Sequence, residues 1–125
     1  MNKIKINIWG REFQLAACME RYDGEEILSS QESALKSFLD GVKEIEASKK
    51  MVEKYIFSAN RSLFPNGMVD NIFKYVMPKS IFVPHDKKHA YVILLCNYKF
   101  DAEHGLAVLF DNGKAKKVSS QTEVL

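Results

Sequence analysis

Between Ala90 and Cys96 the chain reads Ala-Tyr-Val-Ile-Leu-Leu-Cys, seven apolar residues in succession. A helix that spans a bilayer needs roughly 20 such residues. A run this short, rich in aliphatic and β-branched side chains, reads instead as a strand that is apolar on both faces. Such a strand belongs in the middle of a sheet, covered at least in part on both sides. Whatever else the chain forms must supply that cover.

Candidate neighbours stand at both ends. Ile4, Ile6 and Ile8 alternate with Lys3, Lys5 and Asn7, and the alternation resumes at Phe13, Leu15 and Ala17. This is the period of a strand with one buried face. A two-residue type II′ turn at Gly10-Arg11 would close a hairpin and pair Ile8 with Phe13, Ile6 with Leu15 and Ile4 with Ala17. After the apolar run, Leu106 to Phe110 forms another strand, and Asp111-Asn112-Gly113-Lys114 carries the Asn-Gly signal of a type I′ turn. Lys116 and Lys117 would then stand on an edge strand, where lysine discourages pairing with a second molecule. Ser80 to Val83 reads as a short strand closed by Pro84, and Ser120 to Leu125 as a frayed end.

The middle of the chain has the helical period. Leu35, Phe38, Val42, Ile45, Val52, Ile56, Ala59 and Leu63 follow in steps that keep one stripe on one side, interrupted only by Lys49. One helix over this span would be about 50 Å long, wider than a domain of 125 residues, so a break is expected, best placed at Asp40-Gly41. Ser29 and Glu32 have capping-box spacing at its start. Val69, Ile72, Phe73 and Val76 suggest a short third helix before Pro78. The expected fold is therefore α+β: an N-terminal β-hairpin, a block of two to three helices, then C-terminal antiparallel strands forming one sheet with the helices on one face. Residues 1–125 read as a single domain.

Lys and Arg number 18 and Asp and Glu 16, a formal charge of +2, which removes the electrostatic case for nucleic acid or a membrane surface as partner. The alternating start lacks the continuous apolar stretch of a signal peptide, so the expected location is cytoplasmic. Two cysteines, Cys18 and Cys96, are too few for a disulfide framework or a zinc cluster. Nucleophile motifs, phosphate loops, dinucleotide fingerprints and metal spacings are not found, and no cofactor is expected.

The densest polar group is Asp101-Ala102-Glu103-His104-Gly105, between two strands. Asp101, Glu103 and His104 have the side chains of an acid–base or metal site. The structural alternative is a turn in which Asp101 or His104 bonds loop backbone and Gly105 supplies an unusual φ or a close approach. His85-Asp86-Lys87-Lys88-His89 reads as a solvated connection that could also hold a phosphate or an acidic partner. Trp9 and Cys18 fall on the second face of the hairpin. There Trp9 could anchor a protein partner or cap the end of the core.

Tyr91 to Tyr98, then Asp101-x-Glu103-His104-Gly105-Leu106-Ala107-Val108-x-Phe110-x-Asn112-Gly113, together with Trp9-Gly10-Arg11-Glu12-Phe13 near the start, resemble an uncharacterised bacterial family, a domain of unknown function. Some related small domains look like immunity proteins of bacterial toxin systems. The resemblance implies a cytoplasmic α+β domain without assigned chemistry, and draws attention to Glu103-His104-Gly105. Two functions stand open: a non-enzymatic protein-interaction module of immunity type with a toxin-like partner, or a metal-dependent or acid–base enzyme using Asp101, Glu103 and His104.

Overall fold

A computed structural model describes residues 3–125. Met1 and Asn2, which open the alternating segment, lie outside the described residues. Six strands form one sheet in chain order: β1 (Lys3–Ile8), β2 (Arg11–Met19), β3 (Val76–Val83), β4 (Tyr91–Tyr98), β5 (Leu106–Asp111) and β6 (Lys114–Ser119). Two helices, α1 (Ser29–Asp40) and α2 (Val42–Ala59), lie between β2 and β3. The break falls at Gly41, as the length of the apolar stripe requires. The apolar run is the centre of β4, which pairs with β3 on one side and β5 on the other.

The helix count is two, not two to three. Of the expected third helix only a 3-10 turn, Ile72–Lys74, forms, and β3 already begins at Val76. Pro78 does not prevent this. β2 pairs with β3 only from Ser80 onward, so beside Pro78 the strand has β4 alone as neighbour, and the ladder skips a residue between Pro78 and Ser80. A proline there leaves no partner strand without a donor.

All neighbouring strands are antiparallel except β2 and β3, where Ala16 faces Ser80 and Met19 faces Val83 in parallel. Parallel pairing demands a long crossover, and the helices provide it.

The hairpin turn lies one residue earlier than expected. Ile8 faces Arg11 and Ile6 faces Phe13, so Trp9 and Gly10 are the central residues, both with positive φ (54° and 84°). That is the type I′ geometry, which suits the strand twist better than types I or II. The pairing moves by two residues, which preserves the side-chain faces. A tryptophan in the left-handed region costs about 1–2 kcal/mol. Burial of its indole offsets this: Trp9 is 4% exposed and its Nε1–H donates to Ser48 Oγ at 3.0 Å. The stripe on α2 thus includes a buried Ser48 between Ile45 and Val52.

Gln31, not Glu32, closes the start of α1. Its Oε1 accepts from Leu28 N–H at 2.8 Å, and its Nε2 donates to the carbonyls of Glu20 (2.8 Å) and Val83 (3.1 Å). The fully buried side chain thereby ties the helix to the ends of β2 and β3.

The C-terminal residues are held rather than frayed. Gln121–Glu123 forms a 3-10 turn, and Gln121 bonds His104 through its amide N–H and Cys96 through its side chain. No helix among the described residues is long and apolar enough to cross a membrane.

Candidate functional site

The Asp101 turn is built from its own hydrogen bonds. Asp101 Oδ1 accepts the His104 amide at 3.1 Å, the Asp101 carbonyl accepts Gly105 N–H at 2.8 Å, and His104 Nδ1 lies 3.0 Å from Asp101 Oδ1. The His104 amide, followed by its ring, holds the Asp101 carboxyl below its ordinary range. Gly105 has φ +64°, and a Cβ there would lie 2.6 Å from Gln121 Nε2 and 2.9 Å from the Cys96 carbonyl. Both structural roles foreseen for this turn, backbone bonding by Asp101 and close approach at Gly105, are therefore present. Glu103 is exposed. An imidazole held by a carboxylate is one component of acid–base chemistry. Among the described residues, no three His, Cys, Asp or Glu side chains gather where they could hold a metal ion.

Trp9 is in a different position from the one its strand phase suggested. The positive φ turns it from the second face of the hairpin into the core, where it lies 6.0 Å from the ring of Phe73. Its indole is buried against the core.

Another surface comes from the strand register. Directly opposed residues on neighbouring strands share a face. Cys18 faces Phe82, Phe82 faces Ile93, Ile93 faces Leu109 and Leu109 faces Lys117, a single row across five strands. A parallel row runs Ala16, Ser80, Leu95, Ala107, Ser119. The alternate rows, such as Ile81–Leu94–Val108, join the core that contains the buried residues of both helices, whereas Ile93 and Ala107 stand outside it. The sheet thus has an inner face under the helices and an outer face covered only partly.

On that outer face Cys18 is exposed, and Phe82, Tyr91, Leu95 and Leu109 are half-buried. A concavity of about 360 Å³ opens there, lined by Pro84, Asp86, Tyr91, Ile93, Leu109, Lys117, Glu123 and Val124. Lys117 and Glu123 are 3.5 Å apart at its rim. The two-faced apolar character of β4 was the available signal for this surface. Its row-mates depended on pairings that alternation within one strand does not reveal.

A family model matches residues 1–125 in full. The chain belongs to the family described as a domain of unknown function, DUF6985. That bears out the resemblance to such a family and assigns the family no chemistry. No curated protein matches the chain. No solved structure matches it either.

Proposed function

We propose that this DUF6985 member is a non-enzymatic protein-interaction domain that docks a partner on the outer face of its sheet. The observation that carries the reading is the row Cys18–Phe82–Ile93–Leu109 on the face away from the core, in which Cys18 is exposed, Phe82 and Leu109 are half-buried and Ile93 between them is buried. Apolar side chains left half open to solvent around a concavity on a folded chain are a mark of a binding site. The immunity-like character of some small domains related to the family it resembles suggests the partner class, a toxin-like protein met in the bacterial cytoplasm.

The test uses the native host extract and the purified domain. Wild-type protein is expected to retain a toxin-like partner. Leu109→Lys, or alkylation of Cys18, should abolish retention while the circular dichroism spectrum is unchanged. Retention that survives both changes, or an extract that yields no partner, overturns the reading.

The enzymatic alternative draws on the Asp101–His104 contact of 3.0 Å. It requires a catalysed reaction that is lost in His104→Ala while partner retention persists.

A further inference from the structure

The loop that borders the outer-face concavity is held from behind by a histidine. Pro84 and Asp86 line the concavity, whereas His85 between them lines a second cleft of about 360 Å³ with Tyr22, Glu25, Lys87, Lys88 and Asp86, which borders both. The His85 side chain is only 4% exposed. Nε2 is fully buried and makes no hydrogen bond, although Glu25 Oε2 is 3.2 Å away. The Tyr22 ring covers the imidazole at 4.7 Å between centroids. Tyr22 is 53% exposed, so one side of this contact belongs to a thinly packed connector.

We propose that His85 and Glu25 form a proton-operated clamp that sets the position of the Pro84–His89 loop, and through it the shape of the outer-face docking surface. The regulatory part rests on the docking function proposed above; the clamp itself does not. Neutral imidazole has one N–H, whereas the protonated ring has an N–H on both nitrogens and a positive charge. The buried Nε2 then becomes a charged donor facing a carboxylate at contact distance, and charge-assisted bonds are roughly twice as strong as neutral ones. Protonation would tighten the contact that already joins the connector bearing Tyr22 and Glu25 to the loop.

The surrounding charges are few. At the end of β2, Glu20 Oε1 accepts the His85 amide at 2.9 Å. The connector contributes Glu25, and the loop itself contributes Asp86, Lys87 and Lys88. From α1, Ser30 contributes a neutral hydroxyl, 3.5 Å from the Asp86 carbonyl. Asp86 is occupied elsewhere: it accepts the amides of Lys88 (2.7 Å) and His89 (3.0 Å), and its Oδ2 lies 3.2 Å from Nδ1 of His89, the other histidine of the loop, which leaves Glu25 as the carboxylate opposite His85 Nε2.

The experiment is a nuclear magnetic resonance titration of the whole chain, without partner, from about pH 8 to pH 5, the range in which histidine changes charge. The clamp predicts that the His85 ring and the backbone amides of Tyr22 to Glu26 shift together with one midpoint; the Asp86 amide, beside a carboxylate that also meets His89, does not report on His85 alone. Glu25→Gln should remove the coupled shift of the Tyr22–Glu26 amides, and so should His85→Asn. The clamp is overturned if those amides do not follow His85 in the wild type, or if they follow it equally in Glu25→Gln. Failure of the wild-type domain to retain a partner would instead count against the docking function and leave a positive titration result intact.

Discussion

The side-chain amide of Gln121 donates to the Cys96 carbonyl at 3.1 Å, and does so across the space that a side chain at Gly105 would occupy. The C-terminal segment is thereby fastened over the loop between β4 and β5, and the glycine is what allows it to lie so close.

Gly105→Val should therefore cost more than His104→Ala. The φ of +64° alone is worth about 1–3 kcal/mol against a β-branched residue, and the new methyl groups must also displace Gln121. His104→Ala removes a half-exposed contact and should cost no more than about 1 kcal/mol. Urea melts of the two variants decide the order. A smaller loss for the glycine variant would show that Gln121 does not need this close approach.

The indole of Trp9 provides a second test. Ser48→Ala leaves the buried Nε1–H without its acceptor, an expected loss of about 1–3 kcal/mol. Trp9→Phe removes the donor along with part of the ring. In a double-mutant cycle the second change should therefore cost less in the Ser48→Ala background than in the wild type. Additive losses would mean that the bond contributes nothing beyond packing.

Acid should weaken the Asp101 turn. The folded carboxyl lies below its ordinary 3.8, so its contribution is present above that value and is lost as the pH falls through the lower, folded one. Melting temperatures of wild type and Asp101→Ala should differ at pH 6 and converge in strong acid. A gap that stays constant across the series would place the turn's contribution in neutral contacts.

The two cysteines should react very differently. Cys18 is exposed on the outer face, whereas burial removes Cys96 from solvent and pushes its thiol far up. Under native conditions Cys18 should be alkylated readily, and Cys96 on the order of a thousandfold more slowly, since it waits for the sheet to open. Mass spectrometry of a time course resolves the two. Comparable rates would place Cys96 in a region that opens easily.

Much of this fold is legible along the chain because its strands carry their own alternation. Ile4–Ile8 and Phe13–Ala17 name their buried face even though the turn was set one residue away, because pairing that moves by two keeps every side chain on its side. The Gly41 break and the Asn112-Gly113 turn, with φ of 52° and 82° at the latter pair, follow from local chemistry. Trp9 escapes the pattern because a favourable burial in the tertiary structure outweighs a local backbone cost. Val69 to Val76 misleads because its helical spacing ends in residues that gain more from pairing with β4. Phe82, Leu95 and Leu109 could not be grouped in advance, since their shared face depends on how β3 and β5 align with β4.

The parallel seam between β2 and β3 divides the order in which the molecule can assemble. Strands β3 to β6 are joined by short connections, so each can add to the last by closing a small loop, which is rapid. The N-terminal hairpin can form by itself, but it cannot take its place beside β3 until the whole helical crossover has brought Ala16 to Ser80. The proposed docking row crosses that seam between Cys18 and Phe82. A nascent or partly unfolded chain would therefore hold Phe82, Ile93 and Leu109 together before Cys18 joins them, and the complete surface exists only in chains whose last long-range pairing has closed.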